Sequence, residues 1–121
     1  MKIALTITLL AAQVVHAGEP IRCPKVWTEA QGWIKRGAAP GGHVTSAGVM
    51  LGPADGNGDL RGLERKKDRE VLFPGLNDYV DPLQKWAYCS YGPDVRLLRR
   101  LPDSTGECVA RIGESATVQC K

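Results

Sequence analysis

The residues of this chain best suited to chemistry are four cysteines, the histidine His43, which is the one histidine outside the first seventeen residues, and an acidic run that alternates with glycine. Cys23, Cys89, Cys108 and Cys120 can serve as thiolate nucleophiles, as zinc ligands or as two disulfides. Zinc sites usually carry paired Cys-x-x-Cys spacing, whereas the gaps here are 66, 19 and 12 positions. An even cysteine count in a short chain with a leader points to disulfides. That assignment also removes the thiolates from catalysis.

The remaining nucleophile candidates are serines. A Ser-His-Asp arrangement would set His43 beside Ser46 or Ser90, but no nucleophile-elbow signature surrounds either serine. The expectation is therefore a protein that is not an enzyme. Asp55, Asn57 and Asp59 fall at alternate positions, as the first three oxygen donors of a calcium loop do. The rest of the pattern departs from such a loop, because Leu60 replaces the glycine and Lys66 the closing glutamate. A surface turn is the first expectation for this run and a weak calcium site the second, with no other cofactor expected.

A different chemistry is recognition. Arg96, Arg99 and Arg100 lie on one expected strand, with Arg96, Leu98 and Arg100 on one face and Leu97, Arg99 and Leu101 on the other. Trp86 and Tyr88 share a face of the preceding strand, and Lys66 and Lys67 belong to a mixed-charge run. Arginines beside large aromatics make a protein-binding surface. Each of these groups also has a plainer reading, as a solvated face or a lid on a small core.

The elements that position them follow from alternation. Trp86 to Tyr91 and Val95 to Leu101 read as strands joined at Gly92-Pro93-Asp94. Cys108, Ala110 and Ile112 alternate with Val109 and Arg111, and Ala116, Val118 and Cys120 alternate with Thr117 and Gln119. Folded about Gly113-Glu114-Ser115, these segments set Cys108 opposite Cys120 on one face. Cys23 then pairs with Cys89 by elimination. His43 to Leu51 reads as a further strand, while Lys25 to Trp33 fits a strand or a short helix. Residues 52–82 read as a long charged loop with one helical turn near 62–70, the kind of segment in which function often sits.

The first seventeen residues form a leader. Lys2 is followed by an uncharged, mostly apolar stretch from Ile3 to Val15, and Val15-His16-Ala17 suits a signal peptidase. The stretch falls short of the ~20 apolar residues that span a bilayer. Cleavage after Ala17 leaves a single domain at 18–121, expected in the periplasm or secreted, with no membrane span. Without Lys2 the chain has 15 basic and 13 acidic side chains, too even for a nucleic-acid protein.

Cys23-Pro24, the Trp86-Ala87-Tyr88-Cys89-Ser90-Tyr91 run, Leu98 to Pro102, and Cys108 with Cys120 form an ordered pattern. It resembles a family of small exported proteobacterial proteins, the STY-locus family. The shared motifs are cysteines, aromatics and turns, so the resemblance implies no catalytic residue. Small exported proteins of this kind include immunity proteins and enzyme inhibitors. The expected fold is mainly β: one small antiparallel meander or sandwich of five or six strands, with two disulfides and one long charged loop. The expected function is binding of another protein in the periplasm, as an immunity protein or inhibitor of an envelope-targeted enzyme. The alternative is a calcium-dependent or wall-associated structural module.

Overall fold

The computed structural model describes residues 19–27, 32–37, 42–65, 69–113 and 115–121. The expected leader and cleavage site lie outside them. Among the described residues nine strands follow one another: β1 (Pro20–Arg22), β2 (Ile34–Arg36), β3 (Ser46–Leu51), β4 (Leu63–Arg65), β5 (Glu70–Phe73), β6 (Lys85–Ser90), β7 (Arg96–Arg100), β8 (Cys108–Ile112) and β9 (Ala116–Cys120). They build two antiparallel sheets, ordered β1-β9-β8-β5-β4 and β2-β7-β6-β3. The fold is mainly β, and no helix among the described residues is long and apolar enough to cross a membrane.

Alternation places the core between the sheets. Val49, Ala87, Cys89 and Leu97 from the four-stranded sheet meet Ile21, Phe73, Ala110 and Val118 from the five-stranded one. Burying a side chain such as Leu97 or Val118 contributes about 2 kcal/mol. The sheets are tied covalently, because Cys23, just after β1, bonds Cys89 near the end of β6. Tyr91, buried beside this bridge, donates its hydroxyl to the Pro24 carbonyl, and burial pushes the phenol up to about 12. The second bridge joins Cys108 to Cys120 within the five-stranded sheet. Glu107 and Lys121 exchange both backbone bonds. The next pair, Cys108 and Cys120, is therefore a close, non-hydrogen-bonded one, with Cα atoms 4.0 Å apart. Both pairings are those expected from the sequence.

The middle of the chain differs from expectation. Residues 52–82 are not a single loop with a helical turn near 62–70, since that stretch contributes β4 and β5 to the edge of the five-stranded sheet. The charges explain why the strands are hard to see. β4 is an exposed edge strand whose Glu64 and Arg65 suit the rim of a sheet. Glu70 on β5 lies on the outer face of the sheet, opposite Arg111 on β8, which holds it at 2.6 Å, so a buried charge sits on the solvent side while Val71 and Phe73 face the core. The total exceeds the five or six strands expected because β1, β2 and β4 have only three residues each. His43 lies before β3 and bridges Val26, while residues 28–31 fall outside the described set.

Lys85 opens β6 and is 1% exposed. Its ammonium donates to the carbonyls of Asp103 at 2.7 Å and Thr105 at 2.9 Å. The strand thus holds the connection between β7 and β8 from inside the fold.

Candidate functional site

The outer face of the four-stranded sheet gathers most of the residues expected to recognise a partner. Register sets Trp86 opposite Arg100, Tyr88 opposite Leu98, and Ser90 opposite Arg96. Met50 and Gly48 of β3 lie opposite Trp86 and Tyr88, and Arg36 of β2 opposite Arg96. Period two thus delivers Trp86, Tyr88, Arg96, Leu98 and Arg100 to one surface. The Arg96 guanidinium stacks 4.2 Å from the Tyr88 ring, and Arg100 lies 5.5 Å from the Trp86 ring. Gly48 makes room for this layer. A Cβ there would sit 2.7 Å from the Tyr88 hydroxyl and 2.8 Å from its ring carbon, so the ring crosses β3 only over a glycine.

This surface is not open. The segment from Gly52 to Leu60 folds back over it as a strap. The Leu51 amide donates to the Gly58 carbonyl and the Leu60 amide to the Val49 carbonyl, adding a short partner strand to the edge of β3. Gly58 is required for that approach, since a Cβ would meet the Leu51 carbonyl oxygen at 1.8 Å. The Trp86 indole donates to the Gly52 carbonyl at 2.7 Å. Under the strap, Met50 and Leu98 are fully buried and Trp86 is 6% exposed. Trp86, Met50 and Leu98 form a second small core, with Ala54 and Tyr88 packed against it.

The strap is latched by charge. Arg96 donates to both carboxylate oxygens of Asp59, at 2.6 and 2.5 Å. Arg36 donates to the Gly56 carbonyl and to Asn57 Oδ1, at 2.5 and 2.9 Å. The bond from Arg96 holds the Asp59 carboxyl below its ordinary value, against the opposing effect of burial. Arg96 is held above its own ordinary value by the same bond, and burial pushes the Tyr88 phenol up. A polar hollow of about 380 Å³ remains at one end, lined among others by Arg36, Asn57, Asp59, Asp94 and Arg96.

The acidic run considered for calcium is this latch. Both oxygens of Asp59 and the amide oxygen of Asn57 face guanidinium groups, which a cation would have to displace, and Asp55 is exposed. No cluster of three metal-holding side chains occurs among the described residues. His43 is exposed, and Ser46 lies opposite Ser90 across β3 and β6.

The latch carries a prediction. A carboxyl held low in the folded state stabilises fully above its unfolded value, near 3.9, and loses that contribution as pH falls through the lower folded value. Asp59→Asn is therefore expected to lower stability near pH 7 by roughly 0.5–1 kcal/mol, a figure discounted for the partial exposure of the pair. Urea unfolding of both proteins across pH 2–7 checks this. The difference should shrink below about pH 4, and a difference independent of pH would remove the charge from the latch.

Arg99 points to the opposite face and separates from its neighbours. It stacks 4.3 Å from the Trp33 ring, its Nε is buried without a partner, and burial lowers its pKa. Beside it, Lys35 lies 4.8 Å from the Trp27 ring. Lys66 and Lys67 fall outside the described residues. Arg100 also contacts Asp103 at 3.0 Å.

The exposed apolar side chains went unnoticed in the sequence: Val26 and Ile34 near the start of the domain, and Leu63, Val80 and Leu83, which are 60%, 68% and 44% exposed. A signal was present in Val80-Asp81-Pro82-Leu83, where a turn dipeptide sits between two large apolar residues. Comparison with protein-family models, with curated proteins and with solved structures finds no match in any of the three.

Proposed function

We propose that the mature domain is a non-catalytic binding protein of the cell envelope, an immunity protein or inhibitor directed at an enzyme that attacks it. One observation carries the reading. Three of the large apolar side chains left exposed, Leu63, Val80 and Leu83, lie on the stretch between β3 and β6. The arginine–aromatic layer, by contrast, spends its apolar surface on the strap. Solvated apolar side chains on a scaffold crossed by two disulfides suit a rigid binding surface, which loses little conformational freedom on association. The resemblance to the STY-locus family agrees with this reading.

The test is inhibition. Full-length chain, exported by its own cells and purified from the envelope fraction, is added to wall hydrolases and toxins encoded beside its gene. Clearing of a cell-wall suspension should stop at one equivalent of the domain, with a one-to-one complex by size. If no such enzyme is slowed and no complex forms, the reading fails.

A further inference from the structure

We infer that the turn at residues 75–84 is the contact element, and that it fits a protein cleft with an apolar floor and a cationic rim. The inference rests on the binding reading above and assigns its site and partner chemistry.

The base of this segment is fixed at both ends. Leu76 is fully buried and its amide donates to the Gly106 carbonyl at 2.8 Å. Leu76–Asp78 forms one 3-10 turn, closed by the Tyr79 amide on the Leu76 carbonyl, and Tyr79 packs on the main core. At the other end, the Gly52 amide donates to the Gln84 carbonyl at 2.8 Å. Between these anchors the Leu83 amide closes a turn on the Val80 carbonyl at 3.0 Å. That closure brings Val80 and Leu83 together at the tip, with Asp81 and Pro82 exposed between them. A protruding apolar tip on an anchored base is shaped for a concavity.

The charge pattern selects which concavity. Asp78 and Asp81 are the only charged residues from Pro74 to Gln84, and both are exposed, in a chain of net charge +3. The next cation in sequence, Lys85, is buried and committed to two carbonyls. The tip is thus locally anionic on a basic protein. Its complement is a basic rim, as found on enzymes whose substrates are acidic polymers. A second copy of this chain is a poor occupant, because a two-fold contact would set two acidic tips against each other.

Site-specific photocrosslinking in the producing cells tests this on the full chain. Val80→benzoylphenylalanine, Leu63→benzoylphenylalanine and, as a remote control, Arg22→benzoylphenylalanine are compared; all three positions are exposed. Formation of both disulfides, read by oxidised gel mobility, shows that each variant folds. The expected result is one product at Val80, formed with a different protein whose contact face is basic. Its yield should fall about tenfold in an Asp78→Asn/Asp81→Asn background and in high salt. A product at Leu63 alone overturns the assignment of the turn while the binding reading stands. No product at any position overturns both. A product that is a dimer of this chain, or one indifferent to the two aspartates, overturns the partner chemistry.

Discussion

Replacing both partners of the Cys23–Cys89 bridge with alanine is expected to lower stability by about 4 kcal/mol, against about 3 kcal/mol for the Cys108–Cys120 pair. The ranking follows from the loops each bridge closes. A crosslink removes conformational freedom from the unfolded chain in proportion to the logarithm of loop length, and these bridges join residues 66 and 12 positions apart. The folded state adds a second reason. Cys108 and Cys120 sit on strands already paired over five residue pairs, so their bridge repeats a contact that the ladder makes. Cys23 and Cys89 belong to different sheets, and no strand pairing joins those sheets among the described residues. Small domains hold a total of ~5–15 kcal/mol, so losing the first bridge removes a large share of it. Urea denaturation of Cys23→Ala/Cys89→Ala and Cys108→Ala/Cys120→Ala proteins measures both losses. An equal or reversed order would mean that the inter-sheet bridge is not the principal staple.

Lys85→Met is expected to cost about 2–3 kcal/mol and to lower the melting temperature by roughly 10–20 °C. Methionine refills most of the volume, so the change isolates the ammonium. In the folded protein that ammonium donates to two carbonyls of the connection between β7 and β8, and the Thr105 bond is buried. Charge-assisted bonds of this kind contribute ~1.5–3 kcal/mol each, offset by the cost of taking the charge from water. Removing the donor leaves the buried Thr105 carbonyl without its partner, and the half-buried Asp103 carbonyl with one bond fewer. Thermal unfolding followed by circular dichroism gives the value. A Met variant as stable as the parent would show that packing, and not the ammonium, holds the connection.

How much of this was legible in the sequence depends on the range of each interaction. β6 through β9 could be read because apolar alternation is a local signal, and the two C-terminal strands fold on a short turn that fixes their register. Cys108 opposite Cys120 follows from that register, and the other bridge by elimination. The side assignments within β7 were equally local: Arg96, Leu98 and Arg100 share the outer face, while Leu97 enters the main core.

The strap was not legible. Gly52 to Asp59 is made of residues that favour turns, and nothing nearby shows that Asp59 meets an arginine 37 positions away. The same reason conceals Glu70, whose partner Arg111 is 41 positions distant, so that a buried charge looked like part of a solvated run. Lys85 fell just outside the strand read from Trp86 to Tyr91, because its carbonyl partners belong to a later connection. In each case a charged side chain is committed to a distant partner, with Glu70 and Lys85 also buried, and composition alone counts it as free surface. The consequence for function is direct. Trp86, Tyr88, Arg96 and Arg100 do come together, but over a second core closed by the strap and with Arg100 at its exposed rim, while Leu63, Val80 and Leu83 stay exposed between β3 and β6.

That sealing can be measured without any partner. Amide hydrogen exchange by NMR on the disulfide-bonded protein reads the strap bonds one by one: Leu51 to Gly58, Leu60 to Val49, and the Trp86 indole to Gly52. With the strap closed, these three hydrogens should exchange with protection close to that of the β6–β7 ladder. Exchange of all three at unprotected rates, while the β6–β7 amides stay protected, would show an open arginine–aromatic face and contradict its assignment as a second core.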